Sequence, residues 1–382
     1  MANIMDYLVW RGEFPMDVTP WCPVDALLLA SLSYLNFHGT DDSRGWTLEE
    51  AARIDLLKES QDGSFAQRKA LFEAMAGSRR FGDMRMHHFI AITDEDIAMQ
   101  FSAECFDLPD GTVCVAFRGT DNTLIGWHED FNMAYLSPVP SQEAATYYLE
   151  QAAGMDGRRI RIVGHSKGGN LAVYAAAGVP ESIQERIEGV YTFDGPGLSP
   201  ETAAGEGYGR IRHKIRSYVP QTSIIGMLME YHRDYTVVHA AATGIMQHDP
   251  FTWQVYGNRF EEMEEIDKNA KLICETLHEW LENSDTEQRA AFVETLFRLA
   301  DSTKATTMSD LLGEKLKNLM SMLGSTREVE PETRRIFGRL MAQFITLGVG
   351  NVIERYKGRK GEEGENGRME TQETENTGGG AL

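Results

Sequence analysis

The stretch that most restricts the fold is Ile160-Arg-Ile-Val-Gly164-His165-Ser166-Lys167-Gly168-Gly169-Asn170-Leu-Ala-Val-Tyr174. A short β-branched run leads into G-x-S-x-G, and small, helix-compatible residues follow. The pattern predicts a strand, a sharp turn and a helix, with Ser166 held at the turn in a strained backbone conformation. Gly164 and Gly168 let neighbouring backbone pass where a Cβ would clash. Ser166 then projects above the carboxyl edge of a sheet, and the N-terminus of the following helix is aimed at developing negative charge.

The surrounding texture agrees with such a sheet. Residues 89–93, 98–106 and 112–117 read as strands, the last two joined by a Pro-Asp-Gly turn. A helix over 142–153, a strand over 160–163 and a helix over 169–177 follow, then strands at 190–193, 215–219 and 235–239. Strands alternating with helices predict an α/β fold with a mostly parallel sheet covered on both faces. Residues 1–80 read as a helical segment packed on this core. Within it, residues 26–34 are apolar nearly all round and therefore buried, and Thr47-Leu-Glu-Glu50 has the capping-box form. The division expected is thus 1–80 helical, 81–257 the α/β core, 258–358 helical again, and 359–382 a disordered tail with almost nothing apolar to bury. The acidic run 261–265 reads as the solvated first turns of a helix.

Over 382 residues, 42% are hydrophobic and 25% charged, which supplies a sizeable core and excludes wholesale disorder. The net charge of −21 opposes phosphate backbones and anionic headgroups, arguing against a nucleic-acid partner. The N-terminal residues lack the basic and apolar regions of a signal peptide, and no uninterrupted apolar stretch is long enough to span a bilayer. Four cysteines, Cys22, Cys105, Cys114 and Cys274, show no metal-type spacing. Cys105 and Cys114 flank the Pro-Asp-Gly turn and are expected to face each other across a hairpin as buried thiols. These features together predict a cytoplasmic chain.

A serine is a weak nucleophile and needs a base. Of the ten histidines, His165 lies in the turn itself, where its side chain should point away from the reacting centre, and His278 sits in a helical stretch. The loop after the last predicted strand carries His248, the first choice; His239, ending that strand, is its rival, and His232 ranks third. Asp194, in Tyr191-Thr-Phe-Asp194-Gly-Pro-Gly197, ends the strand after the Ser166 helix at the same sheet edge. It is the candidate orienting acid, with a turn or cap role as the alternative.

Four segments now resemble the class 3 lipases and a little-characterised bacterial family of lipase-like α/β-hydrolases related to them. They are Val115-Ala-Phe-Arg118-Gly119-Thr120, Trp127-His-Glu-Asp130, the Gly164–Gly169 turn, and Tyr191 to Pro196. The likeness covers roughly residues 80–255. It implies an oxyanion hole from the backbone N–H groups of Thr120 and Lys167, and puts residues 121–130 in the place of a lid, where Leu124, Ile125 and Trp127 either meet an acyl chain or belong to a short ordered loop with Trp127 packed on the sheet. The order Ser166, Asp194, His248 is that of an α/β-hydrolase triad. Two departures stand out. Lys167 replaces the leucine usual in the lipases, and the segment 218–223, where those lipases carry their acid, holds no carboxylate.

The implied activity is ester hydrolysis through an acyl-enzyme, on small-molecule or lipid-like substrates, and it requires no metal or organic cofactor. The alternative is an inactive descendant of the fold serving as a binding module. The expected helix over 331–357 carries a broad apolar stripe and ends in cations, which suits either a peripheral membrane contact or packing against neighbouring helices.

Overall fold

The computed structural model describes residues 2–302, apart from 38–43, 60–63, 122–123, 134 and 230–233. Its strands are β1 (Trp46–Thr47), β2 (Arg85–Asp94), β3 (Met99–Asp107), β4 (Val113–Phe117), β5 (Ile160–His165), β6 (Ile187–Phe193), β7 (Ile215–Pro220), β8 (Tyr235–Val238), β9 (Val255–Tyr256), β10 (Arg259–Phe260) and β11 (Glu262–Met263). Nine form one sheet in the order β1-β2-β3-β4-β5-β6-β7-β8-β11, and β9 pairs with β10 separately. The strands β4 to β8 run parallel in chain order, and antiparallel strands flank them on both sides. The fold is α/β, with a parallel centre in a mixed sheet.

The helices are α1 (Ile4–Arg11), α2 (Pro23–Leu32), α3 (Leu48–Arg53), α4 (Phe65–Ala76), α5 (Leu124–Asn132), α6 (Pro140–Gly154), α7 (Lys167–Gly178), α8 (Glu181–Gln184), α9 (Pro200–Ala203), α10 (Glu206–Ile211), α11 (Lys268–Asn283) and α12 (Thr286–Ser302). Parallel strands laid side by side in chain order put their right-handed crossovers on one face. That face is filled by α6, α7 and α10, whose Leu149, Leu171 and Ile211 share a core with Val115, Ile162 and Val190. The other face needs a separate cover, and the N-terminal segment supplies it. From Val24 to Leu32 every residue of α2 is buried, and its leucines share a second core with Ala116, Val163, Phe193 and Trp253. A helix laid between a sheet and other helices has no solvent face, which is why its sequence is apolar all round. Further along, Thr47 Oγ1 accepts the Glu50 N–H while the Glu50 carboxylate accepts the Thr47 N–H, closing the capping box of α3.

Three expectations are corrected. Residues 261–265 do not begin a helix: Glu262 and Met263 form β11, which pairs with Val238 and Val237 and closes the sheet with a short charged edge. The helical region starts at Lys268, not at 258. Cys105 lies opposite Val115 and Cys114 opposite Phe106. That one-residue offset sends the two thiols to opposite faces, Cys105 to the α6 side and Cys114 to the α2 side, both free. No helix among the described residues is long and apolar enough to cross a membrane. The expected helix over 331–357, the tail from 359 and His232 lie outside the described residues.

Candidate active site

At the end of β5 the chain reverses into α7 through Ser166, whose backbone sits at φ 57 and ψ −135. Such a conformation in a residue with a Cβ costs on the order of 1–3 kcal/mol and persists only where the surroundings enforce it. Here the Ser166 N–H donates to the Phe193 carbonyl at 2.9 Å, and its own carbonyl accepts the Gly169 N–H at 2.8 Å. Close packing does the rest. A Cβ on Gly164 would lie 2.0 Å from the Gly168 carbonyl oxygen, and one on Gly168 would lie 2.2 Å from that of Phe117. The two glycines let β4, β5 and α7 converge on the serine.

Asp194 follows β6 directly, also at positive φ (48°), with its N–H donated to the Tyr218 carbonyl at 2.8 Å. Its Oδ2 accepts from His248 Nδ1 at 2.6 Å. Its Oδ1 accepts from the Ser223 hydroxyl and, at 3.1 Å, from the Gly226 N–H. The carboxylate is 1% exposed and bonded through both oxygens. Ser223 lies in the 218–223 segment that lacks a carboxylate, so this segment contributes a hydroxyl that holds the acid of the preceding strand. A proton on His248 Nδ1, fixed by the carboxylate, leaves the lone pair on Nε2.

His248 ends the 3-10 turn Gly244–His248, and His165 lies beside it with ring centroids 4.6 Å apart. His165 Nε2 is 2.8 Å from the His248 carbonyl. A carbonyl only accepts, so Nε2 donates and His165 Nδ1 accepts from the Tyr34 hydroxyl, 2.9 Å away. Burial, with His248 close by, pushes the His165 pKa well below its ordinary value and keeps the ring neutral. His165 therefore does more than point away from Ser166: it links the loop of His248 to the N-terminal segment. The rival His239 pairs instead with Glu261 at 3.0 Å, and His278 lies on the exposed side of α11 against Glu282 at 3.2 Å.

Of residues 121–130, expected as a lid, 124–130 belong to the helix α5. Leu124, Ile125 and Trp127 lie along it, with Trp127 half-buried. Its last turn carries two adjacent acids. Asp130 Oδ2 accepts the Thr120 hydroxyl at 2.7 Å. Glu129 is fully buried and bonded to Lys167 Nζ at 2.8 Å. Burial raises the Asp130 carboxyl to about 6, against the opposing pull of Lys167 and the Thr120 hydroxyl. Glu129, with no place in the sequence reading, had one available signal. A lysine inside a buried turn needs a counter-charge nearby.

The C-terminal helices reach this region. On α12, Phe297 stacks on His128 of α5 at 4.4 Å and meets Phe131 edge-on at 5.7 Å. A cavity of about 630 Å³ is lined by Leu136, Tyr174, Met229, Leu281 and Arg289 among others. Among the described residues, no group of three or more His, Cys, Asp or Glu side chains stands close enough together to hold a metal ion.

A family model described as Mbeg1-like matches residues 75–298, more than half of the chain. The chain belongs to the Mbeg1-like family. The match begins in α4 and ends in α12, so it includes Ser166, Asp194, His248 and the C-terminal helix pair, while α1 to α3 lie outside it. No curated protein matches this Mbeg1-like chain. Among solved structures it is similar to M37 lipase, at 15% identity and a TM-score of 0.35, over 54% of this chain and 69% of that one. A fungal lipase in an inhibitor complex matches at 15% and 0.34, over 57% and 78%. The Rhizomucor miehei lipase propeptide complex matches at 14% and 0.34, over 62% and 80%.

Proposed function

We propose that the protein is a serine hydrolase that cleaves carboxylic esters through a Ser166–His248–Asp194 triad. The observation that carries this reading is the 2.6 Å bond between His248 Nδ1 and Asp194 Oδ2, at the same sheet edge as a serine held at positive φ. Ser166 Oγ attacks the ester carbonyl, and its proton passes to His248 Nε2. The resulting oxyanion is stabilised by the N–H groups of Lys167, at the start of α7, and of Thr120. Collapse of the tetrahedral intermediate expels the alcohol, which takes the proton from His248. Water, deprotonated by the same ring, then releases the acid and frees Ser166. Asp194 keeps the proton on Nδ1 throughout and stabilises the imidazolium. The hydrogen bonds of His248 run through its ring to Asp194 and through its carbonyl to His165, and the reading requires the Ser166 hydroxyl to reach Nε2 in the substrate complex.

The test is labelling of the folded protein with a fluorophosphonate, with the modified residue located by mass spectrometry. The expected result is modification at Ser166 that disappears in Ser166→Ala and in His248→Ala, together with hydrolysis of short-chain esters. A folded protein that neither labels nor turns over, with and without detergent, would replace this reading with that of an inactive binding module.

A further inference from the structure

Lys167 takes the place of the leucine that follows the serine in the class 3 lipases, and its side chain is 1% exposed. Nζ donates to Glu129 Oε2 and to the Gln100 carbonyl, both at 2.8 Å. Glu129 is fully buried, and its remaining bonds are all to backbone: Oε2 accepts the Gln100 N–H at 3.0 Å, and Oε1 accepts the Ser141 N–H at 2.9 Å. One carboxylate thus joins β3, α5, the start of α6 and the serine turn. The neighbouring Asp130 holds the Thr120 hydroxyl, and the Gln100 side chain accepts the N–H of Asp121, the residue after Thr120, at 3.1 Å. Consecutive acids on the last turn of α5 therefore grip the two residues whose N–H groups face the developing oxyanion, Lys167 through Glu129 and Thr120 through Asp130. An apolar side chain at 167 would fill space without fixing either.

We propose that Lys167 and Glu129 are positioning residues, a buried ion pair that locks the serine turn to α5 and so holds both oxyanion donors in place before substrate arrives. This rests on the triad reading above. It makes α5 a fixed wall of the site rather than a lid that lifts away, because a helix that moved off would leave a lysine and a glutamate buried and unpaired.

The experiment compares the wild type with Lys167→Met, Glu129→Gln and the double variant Lys167→Met/Glu129→Met, which removes both charges of the pair and keeps Asp130, whose Oδ1 lies 3.9 Å from Lys167 Nζ, in place. Each is assayed for ester turnover per fluorophosphonate-titrated site and for affinity toward an alkyl boronic acid, which forms a tetrahedral adduct on the serine. The expected result is a fall in kcat of about a hundredfold in the folded double variant, the size of losing one oxyanion donor. KM should hardly change, and boronate affinity should fall in step with kcat. A purely structural pair would instead lower the melting temperature and leave kcat per titrated site and boronate affinity at wild-type values, which overturns the proposal. Wild-type turnover that jumps when the substrate forms micelles would also overturn it, since that marks α5 as a moving lid. If the wild type neither labels nor turns over, the triad reading itself fails and this proposal goes with it. Wild-type labelling with an indifferent double variant removes this proposal alone.

Discussion

Arg80 with Asp25 and Lys167 with Glu129 are buried to the same depth, each cation 1% and each carboxylate 0% exposed, yet they organise different parts of the molecule. Arg80 donates to both oxygens of Asp25 and to the carbonyls of Phe14, Thr19 and Pro20. Asp25 in turn accepts from the Tyr7 hydroxyl and the Cys22 N–H. All these partners lie in the first 80 residues, so the planar fork of the arginine folds one local segment around itself. Lysine is a point charge, and Lys167 spends it on two elements distant in sequence, at Gln100 and Glu129. The difference teaches that depth of burial says little about purpose. A pair that closes on its own segment stabilises that segment, whereas the role proposed for the pair that bridges strand, helix and turn beside Ser166 is to set geometry.

Activity offers the hardest test of that contrast. Asp194→Asn should lower kcat by about ten thousandfold with little loss of stability, because asparagine tolerates the positive φ at that position and still accepts from Ser223 and Gly226. Turnover within a few-fold of wild type, in a protein with the wild-type melting curve, would remove Asp194 from the triad. Arg80→Met should do the reverse. Leaving the Asp25 carboxylate buried without its partner costs about 3–5 kcal/mol, visible in urea denaturation, while kcat per titrated site stays at the wild-type value. A loss of kcat there would erase the distinction between the two pairs.

A last effect is read against pH and concerns a buried carboxyl. Glu104 in the middle of β3 is 1% exposed, and among the described residues neither of its oxygens has a hydrogen-bond partner. Burial raises it to about 8, with Arg118 pulling the other way. The folded protein therefore keeps a proton that the unfolded chain loses from about pH 4.5 upward. The stability this group contributes is full below that pH and is lost as the pH climbs through 8, at no more than about 1.4 kcal/mol per pH unit. Glu104→Gln should flatten the decline in melting temperature between pH 5 and 8. An unchanged slope would mean that Glu104 is not protonated in the folded protein.

Local signals carry over to structure wherever the cause is local. The serine turn, the capping box at Thr47 and the buried α2 are each written in the spacing of a few residues, and each forms. Legibility fails where a partner comes from elsewhere. Glu262 and Met263 look like a solvated helix start, but an open edge at β8 recruits them as a strand. Cys105 and Cys114 look like facing neighbours until the register offsets them by one residue.

The sequence by itself determined that Ser166 would sit at a strand-to-helix turn, because glycine spacing and apolar periodicity act over neighbouring residues. Only the tertiary structure decided that Asp194 reaches His248 while His239 turns to Glu261, that Ser223 steadies the carboxylate from the next strand, and that Lys167 is answered by Glu129. Those choices depend on which strand ends lie side by side. Strand order follows from packing the whole chain around two cores, and no local window contains it.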